Sequence, residues 1–153
     1  MKSYSKELES SLNALLEKNR DAEKGFKKAA DHTEHVNLKN YFMSKSRQRR
    51  DYANQLKSEI ATYGEKPDDS SSFTGAAHRA WMDVKALFSF DDEESMLEEA
   101  IRGEEAAVEE YDKIIYNKDL PQSTKSLLSK HVNEIRSGLA KIRSLEDLRE
   151  MNY

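Results

Sequence analysis

The chain has 153 residues, a formal charge of −4 and nearly balanced acidic and basic side chains, 29 against 25. That length gives one domain a sizeable core. The lack of cysteine excludes disulfides and thiolate chemistry, and the net acidity speaks against nucleic acid as a main partner. No apolar run reaches the roughly 20 residues of a membrane span, and Met1–Ser10 has no apolar stretch of the signal-peptide kind. The expectation is a cytoplasmic protein with no membrane partner. With 35% charged residues, 37% hydrophobic residues, five glycines and two prolines, the chain suits a few long amphipathic helices.

Helical periodicity predicts a first helix over about 5–30. Leu8, Leu12, Leu15, Leu16, Ala22, Phe26 and Ala29 share one face, and Asn19 lies among them. The period is lost at Asp31–Thr33, which predicts a short turn. A second helix carries Val36, Tyr41, Phe42, Tyr52, Leu56 and Ile60, with Lys45, Ser46 and Arg49 filling the seam between Phe42 and Tyr52. Gly64 has the place of a C′ glycine, and Pro67 with the following Asp and Ser residues predicts a loop. Lys45, Arg47, Arg49 and Arg50 form a basic run, read mainly as a solvated helix face.

Next comes a shorter amphipathic stretch, Phe73–Phe88, then Asp91 and Asp92, either of which could cap the following helix. That third long helix is predicted over 92–116, with Leu97, Ala100, Ile101, Ala107, Tyr111 and Ile114 on its seam and Glu104 as the charge among them. Pro121 suits the first position of a last helix over 121–148, with Leu128, Ile135, Leu139, Ile142, Leu145 and Leu148 on the seam and His131 between them.

About 27 residues separate the second and third long helices, far more than an up-and-down connection needs. An all-α, ferritin-like four-helix bundle is therefore expected for residues 1–153, with residues 64–91 as a crossover containing a short amphipathic helix. Five packed helices are the competing layout. Asn19, Arg49, Glu104 and His131 then form a polar layer at mid-height, where ferritin-like proteins hold metal.

Three stretches carry a resemblance: Gly75-Ala76-Ala77-His78-Arg79-Ala80-Trp81-Met82-Asp83-Val84-Lys85, Arg102-Gly103-Glu104-Glu105-Ala106-Ala107 and Leu120-Pro121, with Asp21–Phe26 as a weaker match. On these the chain resembles a bacterial family of ferritin-like four-helix-bundle proteins known as a domain of unknown function. The resemblance spans nearly the whole chain and implies a ferritin-like bundle without an assigned reaction.

The di-iron pattern of such bundles takes a Glu from each of two helices and Glu-x-x-His from each of the other two. Here the first helix offers Asn19, and the second offers Ser46-Arg47-Gln48-Arg49 or Arg49-Arg50-Asp51-Tyr52. Leu128 stands three residues before His131. Glu104 and His131 remain as metal-ligand candidates in a degenerate site, and Arg49 places a permanent positive charge in the same layer. The leading reading is a buried Arg49–Glu104 pair that sets helix register. The alternative is a metal or small-ligand site on Glu104 and His131.

Further expectations follow. His32-Thr33-Glu34-His35 is read as solvated sequence before a surface metal site. Trp81 packs on the bundle, with His78 and Arg79 bonding to nearby chain. Gly25, Gly103 and Gly138 permit close approach inside long helices. Tyr41, Tyr52, Tyr63 and Tyr111 belong to the core. No Gly-rich phosphate loop supports a nucleotide enzyme. The expected function is a non-catalytic binding or structural protein without a cofactor, stress-associated by analogy with ferritin-like families and partnered by a second copy or another protein. The alternative is a metal-binding enzyme or storage protein with an atypical iron, manganese or zinc centre.

Overall fold

A computed structural model describes residues 6–64, 81, 92–117 and 119–151. These residues are helical without strands: α1 (Lys6–His32), α2 (Val36–Thr62), α3 (Glu93–Asn117), α4 (Gln122–Lys141) and α5 (Leu145–Glu150). None of these helices is long and apolar enough to cross a membrane. The predicted stretch Phe73–Phe88 lies outside the described residues apart from Trp81, which is buried.

The helix ends follow local chemistry. His35 caps α2, its Nδ1 accepting from the Leu38 amide at 3.2 Å, and Thr33 Oγ1 accepts from the His35 amide at 3.2 Å. That pairing gives the His32–His35 segment a capping role. Gly64 has φ of 78°, a left-handed backbone that favours glycine just past a helix. Of the two aspartates before α3, Asp92 does the capping, accepting from the Ser95 amide at 2.7 Å and the Ser95 hydroxyl at 2.9 Å. Those bonds hold the Asp92 carboxyl below its usual range.

One predicted element is corrected. The apolar spacing of Ile142, Leu145 and Leu148 continues the seam of α4, yet the helix stops at Lys141 and Ile142 is extended. Ser144 starts a new helix instead, through a capping box in which its side chain accepts from Asp147 while the Asp147 carboxylate accepts from the Ser144 amide. Ile142 and Leu148 are both buried, so the break keeps the apolar pattern while turning the chain. Pro121 precedes α4 as its cap, one residue earlier than predicted.

Side-chain pairs fix the directions. Phe26 meets Phe42, and the Ser46 hydroxyl donates to the Glu23 carbonyl at 2.9 Å, so α1 and α2 are antiparallel and pack closely. Tyr63 meets Thr124, and Tyr52 stacks on His131, making α4 antiparallel to α2. Tyr111 bonds His131, and Arg143 lies 3.3 Å from Glu105, making α4 antiparallel to α3. The two long helices α2 and α3 are therefore parallel, and the end of α2 and the start of α3 lie at opposite ends of the assembly.

The core between them is apolar at both ends. Leu12, Leu15, Phe42, Leu56, Ala100 and Ile135 are among its buried residues, and each large side chain removed from water contributes about 1.5–3 kcal/mol. Polar residues interrupt it at mid-height.

Candidate functional site

The sequence of α2 puts Lys45 and Arg49 four residues apart, hence one above the other on the face that Tyr41, Tyr52 and Leu56 also bury. Arg49 is fully buried and forms an ion pair with Glu104 of α3, itself almost fully buried. The rings of Phe26, Tyr52 and Trp81 surround the guanidinium, with centroids 5.8, 5.9 and 5.6 Å from its central carbon. Nε and Nη1 of Arg49 have no hydrogen-bond partner. The negative faces of the rings supply part of the missing stabilisation. Burial still lowers the Arg49 pKa from its ordinary value, while the surrounding tyrosines oppose that shift.

Lys45 adds a second cation. Its Nζ lies 3.2 Å from Glu104 Oε2 and 5.7 Å from the centre of the Tyr41 ring. It reaches that position through a gap left by Gly138, where a Cβ would stand 3.0 Å from Nζ. Burial first, and then repulsion from Arg49, push the Lys45 pKa down to about 8, with Glu134 pulling the other way. Two cations thus share Glu104, so a further cation in the layer would be repelled by both.

The remaining predicted residues form a neutral chain of hydrogen bonds. Asn19 Nδ2 donates to the Leu15 carbonyl at 2.8 Å and to the Tyr111 hydroxyl at 3.1 Å. The Tyr111 hydroxyl lies 2.9 Å from His131 Nδ1, and His131 Nε2 lies 2.7 Å from Gln55 Oε1. With the imidazole neutral, the Gln55 oxygen decides which nitrogen carries the proton. His131 is neutral with its proton on Nε2, donating to Gln55, and Tyr111 donates to Nδ1.

The environment enforces that state. Burial, then the charges of Arg49 and Lys130, push the His131 pKa down to about 3. Burial also raises the Tyr111 pKa, keeping its proton in place. Tyr52 stacks on the imidazole at 3.8 Å and 13°, and Tyr111 meets it edge-on at 5.7 Å.

All four predicted layer residues are therefore buried, but they divide between two sets of partners. Arg49 and Glu104 bind each other; Asn19 and His131 join through Tyr111. Glu104 and His131, the metal-ligand candidates, have different partners, and both imidazole nitrogens are engaged. Among the described residues no group of three or more His, Asp and Glu could hold a metal ion. A cation there would meet Arg49 and Lys45 beside its one carboxylate, so the residues present do not fit a di-iron centre.

Sequence reasoning missed the role of Tyr111, whose seam spacing is that of a core residue and whose hydroxyl gives no periodic signal. It also missed Gln55 and a third junction. There, Glu110 of α3 pairs with Lys18 and accepts from Trp81 Nε1 at 3.2 Å. Packing of Trp81 is as expected, with the Tyr111 ring at 6.1 Å, while His78 and Arg79 fall outside the described residues.

A family described as a domain of unknown function, DUF2383, matches residues 7–117. The chain belongs to this family. The matched region contains Asn19, Lys45, Arg49, Trp81, Glu104 and Tyr111, whereas α4 with His131 lies beyond it. A search of curated proteins returns no match.

Proposed function

We propose that the chain is a ferritin-like four-helix bundle with a crossover between α2 and α3, in which an ion pair has taken the place of the metal. On this reading it is a non-catalytic binding or structural protein of the bacterial cytoplasm, possessing a degenerate centre. The observation that carries the proposal is the fully buried Arg49, paired with Glu104 and enclosed by Phe26, Tyr52 and Trp81. A guanidinium keeps its charge and cannot ligate a metal. The parallel directions of α2 and α3 support the crossover, because four up-and-down helices would set them antiparallel.

Cytoplasmic location fits the cysteine-free composition, and an association with stress rests on analogy with ferritin-like families alone. Catalysis finds little support in the layer. Its imidazole is neutral and held from both sides, its tyrosines keep their protons, and its carboxylate is paired.

The test is elemental analysis of protein purified without chelator or affinity metal, with the subunit count measured alongside. Protein without stoichiometric metal, and a melting temperature unmoved by Fe(II), Mn(II) or Zn(II), is the expected result. A metal-dependent rise in melting temperature that His131→Ala abolishes would overturn the proposal in favour of a metal enzyme or storage protein.

A further inference from the structure

The face of α2 opposite its close contact with α1 breaks the rule of a bundle seam. Arg47, Gln48, Asp51 and Gln55 recur at helical spacing on one stripe, and they face Lys130 and Glu134 of α4 across a groove of about 550 Å³. A stripe facing a neighbouring helix is ordinarily apolar. Here hydroxyl, amide and charged groups line it, within the size range of small-molecule sites.

The lining groups differ in whether the chain already uses them. Glu134 accepts from the Tyr52 hydroxyl at 2.6 Å, and its charge also acts on Lys45. Gln55 accepts from His131 through Oε1, which leaves its N–H groups available as donors. Among the described residues Arg47 and Lys130 form no ion pair, and neither does Asp51. Gln48 Oε1 is buried and has no hydrogen-bond donor.

The charged and donor groups open to the groove are thus two cations, an amide donor and one carboxylate. A simple anion answers the cations and the amide donor and leaves Asp51 unmet; a simple cation does the reverse. A molecule carrying both signs a few ångströms apart answers both.

We infer that the groove between α2 and α4 binds a free amino acid, its carboxylate held by Arg47, Lys130 and the Gln55 amide and its ammonium by Asp51. The floor is prepared for this. The hydrogen-bond chain from Asn19 through Tyr111 and His131 fixes the Gln55 side chain, and the Tyr52 ring stacked on His131 is tied to Glu134. Side chains held by such second contacts lose little freedom when a ligand arrives. The groove lies outside the Arg49–Glu104 layer, so metal bound in the core would leave this inference standing.

Titration of the full chain with each common amino acid in turn, followed by amide NMR and calorimetry, tests it. Saturable binding of one or more amino acids is expected, with shifts confined to residues 44–55 and 130–137. Blocking the amine as the N-acetyl derivative, or the carboxylate as the amide, should each abolish binding. Arg47→Gln and Asp51→Asn, both exposed and so compatible with the fold, should each weaken it roughly tenfold or more. Three results would overturn the inference: no saturable binding by any amino acid, equal binding of the N-acetyl derivative, or a dimer in solution that closes the groove.

Discussion

The two halves of the polar layer solve the same problem in opposite ways. On one side Lys45, Arg49 and Glu104 bury three charges, with one carboxylate for two cations and two guanidinium nitrogens lacking acceptors. On the other, Asn19, Tyr111, His131 and Gln55 bury no charge and connect in an unbroken run of hydrogen bonds. The neutral half leaves one buried acceptor unmet, Asn19 Oδ1. The charged half depends on one residue, because removal of Glu104 leaves two buried cations uncompensated. The number and charge of the groups left unmet, more than the strength of any contact, separate a tolerant network from a fragile one.

The largest effect should come from breaking the charged half alone. Glu104→Gln should cost about 3–5 kcal/mol in urea unfolding, as for other buried pairs that lose one partner. Replacing Lys45, Arg49 and Glu104 together by Met or Leu should recover most of that loss, since buried ion pairs and packed apolar groups are often of similar stability. A triple variant as unstable as Glu104→Gln would show that the charges contribute net stability.

The halves also separate by pH. The folded His131 has its pKa near 3 and the unfolded residue near 6.5, so between these values the unfolded chain binds the extra proton. Stability should be level with respect to this group above about pH 6.5. It should then fall on acidification towards pH 3, by up to about 1.4 kcal/mol per unit. Lys45, lowered to about 8 from 10.5, should raise stability as pH climbs through that alkaline window, again because the unfolded chain holds the proton longer. His131→Gln should flatten the acid limb and Lys45→Met the alkaline one, each read from urea unfolding across pH.

A smaller change tests the neutral half. Tyr111→Phe keeps the ring against Trp81 and His131 but removes the hydroxyl joining Asn19 to His131. The expected cost is about 1–3 kcal/mol, with no effect on the alkaline limb. The smallest concerns Gly138. Gly138→Ala gains about 1 kcal/mol of helix propensity but displaces Lys45 Nζ, leaving little net change in the native chain. In a Lys45→Met background the same substitution should be stabilising, as thermal melting would report.

Much of this organisation was legible in the chain because period and interruption are linear signals. Apolar recurrence marked the long helices to within about two residues at most ends, and its interruptions marked Asn19, Arg49, Glu104 and His131 as buried polar residues. The end of α4 failed that test. Ile142, Leu145 and Leu148 satisfy helical spacing whether or not the backbone breaks, and the competing signal lay in Ser144 and Asp147.

The pairing inside the layer was less legible. Arg49 with Glu104 follows from charge alone, since a buried cation and a buried carboxylate require each other. Asn19 with His131 does not, because their link is the Tyr111 hydroxyl on a residue that reads as core. The groove was hidden for a related reason. Arg47, Gln48 and Asp51 look like a solvated helix face until α4 is placed opposite them.

The chain has one tryptophan, and it stands where α1, α2 and α3 converge. Its ring faces Arg49, its N–H reaches Glu110, and Glu110 is in turn paired with Lys18. Trp81 is thus an intrinsic optical label placed at the junction. Its emission reports the seating of this residue on the core, while far-ultraviolet circular dichroism reports the helices themselves. Coincident transitions by the two probes would mark junction and helices as one cooperative unit. An earlier fluorescence change would show the tryptophan leaving first, an opening visible without any added dye.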